Sequence, residues 1–335
     1  VYGWSYGFGA AGVGMALGLL LFLWGQNHLE GHGEAPSDAA LLRKTIGPFN
    51  VEWTIYVTTL LGVGVVWQMI QFTAVVGTLL NIVSLAVLVA LAWYLFTRCS
   101  RVERDRMFVL ITLTLSTVVF WALFEQAAGS MTLFADRVTD RQLMGIELTA
   151  AQFGAANAFF IFTLAPLFAL LWTALGKRGK EPSTPVKFVL GIAQAGLGFG
   201  ALAYGSQHPD AAGLVSAWWL VAAYLLHTTG ELCLSPVGLS AVTKLAMPRI
   251  VGVMMGTWFL ATAYSSYVAA QIASLAAGAS SAAASPTLEG DTSKTLAALA
   301  NYTSLFEQLF WIGLIAAAAL LLISPLLKRL MHGID

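Results

Sequence analysis

The sequence predicts an all-α integral membrane protein, and two observations lead to that fold class. Only 10% of the 335 residues are charged, whereas 58% are hydrophobic and the mean hydropathy is +0.77. A soluble domain usually has about 25% charged residues, so the polar groups are too few to cover a soluble surface. Apolar stretches of about 20 residues, the length that a helix needs to cross the bilayer core, also recur along the chain. A soluble enzyme, a nucleic-acid-binding protein and a disordered tail are therefore excluded.

Nine apolar stretches are predicted to be transmembrane helices. In chain order they are 5–25, 53–72, 74–97, 107–134, 152–176, 187–205, 214–237, 250–276 and 304–327. Gly and Ala residues are scattered through them, which suits close packing of helices in a membrane. Membrane strands are not predicted, because no stretch alternates apolar and polar residues over the about 10 residues that such a strand needs.

The basic residues are distributed unevenly between the two ends of these predicted helices. Successive connections between the predicted helices alternate between the two faces of the membrane. The connections and helix ends on one face contain 14 of the 17 Lys and Arg residues, and those on the other face contain only Arg137, Arg141 and Lys294. By the positive-inside rule the first face is cytoplasmic, which predicts residue 1 near the external face and a cytoplasmic C-terminus. Because the chain begins at Val1 and its ends face opposite sides, we expect it to be the later part of a longer transporter.

Two connections differ in composition from the short turns. Residues 26–52 are predicted to be a cytoplasmic link that leads into a helical hairpin over 53–97. Residues 277–303 are small and polar, which predicts a flexible external loop. The six stretches from residue 107 onward are typical of one half of a two-bundle transporter.

Two acidic residues, Glu125 and Glu231, lie inside predicted transmembrane helices, whereas the other acids lie in connections or at helix ends. A lone carboxylate at membrane depth is costly unless it is paired, protonated or in contact with water, and such acids usually have a function. The alternative is a protonated acid that neighbouring helices satisfy. We expect both acids to line a polar cavity. No Lys or Arg of this chain is predicted at their depth, so we expect their counter-ions to come from outside it.

Polar and aromatic residues accompany Glu125. Gln126 follows it, and Trp121 lies one helical turn before it on the same face. Trp258 and Phe259 lie within the eighth stretch. An aromatic side chain next to a buried acid could form an apolar pocket beside a polar anchor, although ordinary helix packing explains any single Trp about as well.

Glu231 has polar neighbours of its own. His227 precedes it by four positions and so shares its helix face, although one histidine is more often packed or hydrogen-bonded than functional. Asn157 lies inside the fifth stretch. Ser235 and Pro236 follow the acid, and the proline predicts a kink or break in the helix. Broken helices at membrane depth are common at transporter binding sites.

Four longer motifs closely resemble the proton-dependent oligopeptide transporter family of the major facilitator superfamily. They are FWALFEQAAGSMTLFAD (120–136), NAFFIFTLAPLFALLW (157–172), GELCLSPVGLSAVTKLAMP (230–248) and GVMMGTWFLATA (252–263). The opening GWSYGFGAAGVGMALGLLLF (3–22) resembles the sixth helix of that family, and 53–97 resembles the helical pair that many bacterial members insert between their two bundles. The family usually has proline where Ala158 stands.

The resemblance implies a partial major facilitator superfamily fold with three parts. Residues 1–25 would be the last helix of the N-terminal bundle, 26–105 the cytoplasmic link with the inserted hairpin, and 106–335 a complete C-terminal six-helix bundle. The first five helices would be missing, and with them the ExxER motif of the first helix and the basic residue of the fourth. Those residues match the counter-ions that the buried acids require.

The resemblance also implies roles for individual residues. Glu125 would be the proton-coupling acid, which exchanges partners with a basic residue of the first helix. Glu231 would receive the amino terminus of the peptide together with Asn157. The aromatic residues that would contact peptide side chains are Trp121, Trp258 and Phe259. Secondary candidates for the site are Gln126, His227 and Ser235.

The function that these features predict is proton-coupled symport of di- and tripeptides in the bacterial inner membrane. The proton would be the coupling ion, and neither a metal nor an organic cofactor is expected. A related transporter of nitrate or another small solute is the alternative, which Glu231 disfavours because it would repel an anion. An intramembrane enzyme is disfavoured because the sequence contains no HExxH or GxSxG motif, and a channel because nothing indicates the required oligomeric symmetry.

Overall fold

The computed structural model describes residues 4–29, 45–46, 49–281 and 292–334. The helices within these residues are α1 (Trp4–Gly25), α2 (Val51–Ile70), α3 (Thr73–Arg98), α4 (Arg101–Phe124), α5 (Ser130–Arg137), α6 (Ala155–Lys177), α7 (Thr184–Ser206), α8 (Ala217–Leu245), α9 (Val251–Ser281) and α10 (Thr292–Leu330). Three 3₁₀ segments occupy Gln26–Leu29, Glu125–Ala128 and Ala150–Gly154. The chain divides into two compact units, residues 1–76 and 77–335. The domain boundaries that the sequence analysis places after residues 25 and 105 remain predictions.

All nine predicted transmembrane stretches are helical. Within the described residues, six segments are long and apolar enough to cross a membrane, namely Ser5–Gly25, Val75–Arg98, Arg101–Arg137, Ala150–Lys177, Thr184–Ser206 and Thr295–Leu330. The other three stretches correspond to α2, α8 and α9, which have 20, 29 and 31 residues. The prediction of a helical membrane protein is therefore confirmed.

The stretch 107–134, predicted as one helix, is interrupted in the structure. Helix α4 ends at Phe124, residues Glu125–Ala128 form a 3₁₀ turn, and α5 begins at Ser130. Gly129 between them has a non-helical backbone, with φ −111° and ψ −105°. Its missing side chain lets α9 come close, since a Cβ at this position would lie 2.8 Å from the Cβ of Ala273. Glu125 consequently caps the end of a helix instead of lying in the middle of one.

Two other sequence-based predictions differ from the structure. Of the kink or break predicted at Pro236, the break does not occur, because α8 runs through Pro236 as one helix, as membrane helices can when neighbouring groups satisfy the freed carbonyl. The predicted external loop 277–303 is shorter than expected, because α9 continues to Ser281 and α10 begins at Thr292. The intervening residues 282–291, and most of the predicted link 26–52, lie outside the described residues.

In the part of the chain that the structure describes, six short strands form three two-stranded pairs, β1 (Thr45–Ile46) with β2 (Phe49–Asn50), β3 (Thr139–Asp140) with β6 (Val215–Ser216), and β4 (Gln142–Leu143) with β5 (Ile146–Glu147). The β3–β6 pair is parallel and joins the segment after α5 to the start of α8. The other two pairs are antiparallel. Met144 and Gly145 connect β4 and β5 with φ values of 53° and 80°, the backbone that a tight two-residue hairpin requires.

Helix α7 packs closely against both α8 and α10 in the second unit. A Cβ on Gly191 would lie 2.9 Å from the carbonyl oxygen of Gly230 on α8, and one on Gly196 would lie 3.1 Å from the Cα of Gly313 on α10. Small residues permit this close approach between membrane helices. Large aromatic side chains fill the interior around these contacts, among them Phe120, Phe134, Phe188, Phe199 and Phe306. Helix α7 is thus in direct backbone contact with both α8 and α10.

Candidate functional site

The structure brings Asn157 and Glu231 together, one from α6 and the other from α8. The amide nitrogen Nδ2 of Asn157 donates to Oε2 of Glu231 at 3.1 Å and to Oγ1 of Thr228 at 3.0 Å. The Thr228 hydroxyl in turn donates to the carbonyl oxygen of Tyr224, one turn earlier, at 2.7 Å. Asn157 and Glu231 are half-buried, whereas Thr228 is fully buried. The buried hydroxyl therefore fixes the amide, and the amide orients a carboxylate that is still accessible.

Thr228 was not singled out in the sequence, although a signal for it exists. It precedes Glu231 by three positions, and residues three apart share a helix face. A threonine on a membrane helix commonly bonds only to the carbonyl of the preceding turn, so it gives little indication of an additional partner.

The second acid, Glu125, lies at the break between α4 and α5. Its Oε1 accepts a hydrogen bond from the hydroxyl of Ser266 on α9 at 2.8 Å, and its side chain is half-buried. Ser266 was also missed in the sequence, because serine is common in membrane helices that pack closely. The acid is therefore presented from a helix end and held by one neutral donor.

Gln126, a secondary candidate from the sequence, is fully buried and has a packing role. Its Nε2 donates to the carbonyl oxygens of Ala122 at 3.2 Å and Ala269 at 3.0 Å, and its Oε1 accepts from Ser130 at 2.8 Å. These bonds satisfy backbone and side-chain groups where α4 is interrupted and join the break to α9. Gln126 thus stabilises the turn that presents Glu125.

One hydrogen bond joins the helix of Glu231 to the turn of Glu125. The hydroxyl of Tyr224 on α8 donates to the carbonyl oxygen of Ala127 in the 3₁₀ turn at 3.4 Å. Tyr224 also accepts the bond from Thr228 described above. The two acids therefore lie on elements that contact each other within the second unit.

Neither acid has a basic partner within the described residues. The ion pairs found there lie elsewhere, between Arg141 and both Asp136 and Glu147, Lys187 and Glu181, Arg249 and Glu103, and His332 and Asp105. That the counter-ions of the two acids come from outside this chain stays a prediction.

The three predicted aromatic contacts lie in different environments. Trp121 is half-buried and packs edge-to-face against Phe124 with ring centroids 5.2 Å apart. Trp258 is only 4% exposed and packs against Phe188, whereas Phe259 is 59% exposed. Of the three, Phe259 is thus the most accessible to a ligand, and the role of all three in substrate contact stays a prediction.

The remaining secondary candidates are not joined to the two acids by a described hydrogen bond. His227 is buried against α7, where its Nε2 lies 3.0 Å from the carbonyl oxygen of Ala195 and its ring packs against Phe199. Ser235 is half-buried on α8, one turn after Glu231. His227 is therefore packed and hydrogen-bonded, which is the more common state of a single histidine.

Gly238→Ala is expected to destabilise the protein because of the burial of Trp258. A Cβ on Gly238 would lie 2.1 Å from Cη2 of Trp258, so the indole must move out of its packed position. Overpacking of this kind costs about 1–3 kcal/mol. The midpoint of thermal unfolding in detergent is the measurement, and Gly252→Ala is the control because its Cβ would meet no atom within 4 Å. Equal midpoints for the two variants would contradict the packing described here.

Comparison with known proteins shows the family to which this chain belongs. The model of the POT family, PTR2, matches residues 1–288. The uncharacterized transporter YclF of Bacillus subtilis (strain 168) is 33% identical over 338 residues, and the match covers 99% of this chain and 63% of that protein. The peptide transporter YePEPT of Yersinia enterocolitica is 35% identical over 287 residues, covering 81% of this chain and 55% of that protein.

A solved structure confirms the predicted fold class. The crystal structure of a mutant of the peptide transporter POT, in complex with alafosfalin, is 31% identical and matches with a TM-score of 0.70 over 99% of this chain and 63% of that one. The chain thus spans less than two thirds of the length of the relatives that it resembles. Because the family model covers most of the chain, this protein belongs to the POT family.

Proposed function

We propose that this chain is the part of a proton-coupled di- and tripeptide symporter that contains the site for the peptide amino terminus and the proton-coupling acid. The observation that carries the proposal is the hydrogen bond from Asn157 to Glu231 at 3.1 Å. An oriented, half-buried carboxylate suits an ammonium group, because a charge-assisted hydrogen bond is stronger than a neutral one. The similarity to YePEPT, which is named as a peptide transporter, supports the same substrate class.

Glu125 is the coupling acid in this proposal, and its coupling ion is the proton. Its carboxylate is half-buried and has no basic partner among the described residues, so a mobile cation or a proton can compete for it. The cation would come from a basic residue of an N-terminal bundle with an ExxER motif. The transporter would lie in the bacterial inner membrane, with residue 1 near the external face and the C-terminus in the cytoplasm.

Transport of a small anion such as nitrate is the weaker candidate. An anion that entered next to Asn157 would meet the Glu231 carboxylate, and like charges in a site of low dielectric repel each other. A peptide offers this position an ammonium group instead.

Uptake by the full-length protein in proteoliposomes is the direct test. An inward proton gradient is expected to drive accumulation of a labelled dipeptide above its equilibrium level, and a protonophore is expected to abolish that accumulation. Unlabelled dipeptide should compete with the label, whereas nitrate should not. Accumulation that persists after the proton gradient has collapsed would overturn the proton coupling, and competition by nitrate alone would overturn the substrate class.

A further inference from the structure

A polar pocket of about 550 Å³ lies where four helices of the second unit end on one face. Its wall comprises the end of α6 with the connection that follows, the first turn of α7, the last part of α8 and the residues just after α10. The basic residues of this face make it the predicted cytoplasmic one. Helices that cross the bilayer core end near its surface, so we expect the pocket at the depth of the lipid headgroups.

The pocket contains a lysine that is almost completely buried. Lys187, at the end of the first turn of α7, has a side chain that is only 10% exposed, and its Nζ lies 4.8 Å from the ring centroid of Trp172 on α6. Its Nζ also donates to Oε1 of Glu181, whose side chain is 41% exposed. The ammonium group therefore lies within the wall of the pocket, between an aromatic face and a carboxylate that is closer to water.

The carboxylate of Glu181 is held against the end of α6. A Cβ on Gly176 would lie 2.8 Å from Oε2 of Glu181, so the carboxylate lies directly over the backbone of that glycine. Its other oxygen, Oε1, accepts from Lys187. Both carboxylate oxygens are thus placed by the pocket wall, and the acid holds the lysine in position.

The charges around the pocket favour an anion. Lys244 on α8 also lines it, and Glu181 is the only acid among the lining residues that the structure describes, so two cations face one carboxylate. The connection that forms one wall carries three further basic residues, Lys177, Arg178 and Lys180. An anion that enters the pocket would therefore meet an excess of positive charge.

The same wall also supplies hydrogen-bond donors. Ser183, the residue before α7, has an extended backbone, and its side chain makes no capping hydrogen bond to the helix. The first N–H groups of a helix lack intrahelical acceptors and carry partial positive charge. The hydroxyls of Thr184 and Ser240 belong to the lining as well, and so does Trp172, whose buried Nε1–H has no hydrogen-bond partner among the described residues. An acceptor ligand would suit this set of groups.

We propose that this pocket binds a phosphate-bearing anion and that the headgroup of an anionic phospholipid in the adjoining leaflet supplies it. Ammonium groups and a helix N-terminus bind phosphate oxygens well, because hydrogen bonds between charged groups are stronger than neutral ones. Basic pockets between membrane helices on the cytoplasmic side are suited to such headgroups. Free phosphate offers the same chemistry, but it has to bind from water, whereas the bilayer presents the lipid at the mouth of the pocket.

Thermal unfolding of the full-length protein in detergent micelles tests the proposal. A ligand that binds the folded state and not the unfolded one raises the unfolding midpoint as its concentration rises. We expect phosphatidylglycerol to raise the midpoint more than phosphatidylcholine at the same mole fraction, because phosphatidylcholine has no net charge. A third sample receives inorganic phosphate alone and separates a soluble anion from a lipid headgroup.

Two variants connect the effect of the lipid to the pocket. Lys244→Gln should raise the phosphatidylglycerol concentration for half of the stabilisation by about tenfold, because one charged donor is lost. Lys328→Gln is the matched control, since it makes the same change of charge at an exposed residue of α10 outside the pocket. The double variant Lys187→Met with Glu181→Gln removes the buried pair without leaving an unpaired carboxylate. It should abolish the difference between the two lipids.

The outcomes separate the site from the source of its ligand. A phosphatidylglycerol effect that is unchanged in both Lys244→Gln and the double variant would overturn the pocket as the site. Stabilisation by inorganic phosphate with no difference between the lipids would support the anion site and overturn the lipid as its source. No effect of either anion on the wild type would overturn both. Lys244→Gln alters an exposed side chain, so it still decides the matter if the double variant does not fold. These measurements involve no transport, and the proposed function is therefore tested separately.

Discussion

Glu125→Gln in the full-length protein is expected to abolish proton-driven accumulation of peptide while peptide-for-peptide exchange continues. Glutamine has nearly the shape of glutamate and can still accept the hydrogen bond that Ser266 donates at 2.8 Å, so the break between α4 and α5 should persist. It cannot bind and release a proton, however, and net uptake requires that step. Exchange moves one peptide in and one out and needs no net proton movement. Labelled dipeptide should therefore equilibrate without being concentrated.

The control for this variant is another glutamate-to-glutamine substitution, made in a segment that connects two helices. Glu147→Gln alters an exposed carboxylate on β5, which lies 3.9 Å from Arg141, and should leave accumulation unchanged. If Glu125→Gln still concentrates peptide against a gradient, another residue couples transport to protons, and Glu125 is a satisfied structural acid.

Glu231→Gln is expected to weaken binding of dipeptides with a free amino terminus by about 10- to 100-fold. A hydrogen bond to a charged group contributes about 1.5–3 kcal/mol, and each 1.4 kcal/mol corresponds to about a tenfold change in affinity. The glutamine oxygen can still accept the bond from Asn157, so the local geometry should be kept. The loss of affinity is then due to the missing charge. Competition of unlabelled dipeptides with a labelled dipeptide measures this loss of affinity.

N-acetylated dipeptides provide the internal control for this second variant. Acetylation removes the ammonium charge, so their weaker binding should change little when Glu231 is replaced. An equal loss for free and acetylated peptides would place the amine site elsewhere. Thr228→Val removes the buried hydroxyl that orients Asn157 but leaves the Glu231 carboxylate in place. We therefore expect it to reduce dipeptide affinity less than Glu231→Gln does.

The positions of the helices could be predicted well from the sequence, because each needs a long apolar stretch. Their interruptions could not. Pro236 predicts a kink or break and yet lies in an unbroken helix, since nearby groups in a bundle can satisfy a freed carbonyl. The actual interruption follows Phe124, where apolar residues continue on both sides. It depends on Gln126 and Gly129 meeting α9, a tertiary contact that is distant in the sequence.

The candidate site shows the same division between local and tertiary information. The two acids stand out because carboxylates are rare at membrane depth, and the family resemblance predicts that Asn157 acts together with Glu231. Ser266 and Thr228 did not stand out, because a hydroxyl in a membrane helix usually bonds within its own helix. Their additional partners lie on other helices, at separations of 141 and 71 residues.

The glycine contacts of α7 make the two acids mechanically different. Glu231 is carried by α8, whose backbone touches that of α7 at Gly230, with no side chains between them to yield. Such contacts leave little room for sliding or tilting, because a close-packed interior transmits displacement instead of absorbing it. Glu125 is carried by a single 3₁₀ turn between two helices, where a change of a few dihedral angles is enough to reorient it. On the proposed function, the peptide anchor would stay fixed within its bundle during the transport cycle, and the proton-binding group would be the one that turns.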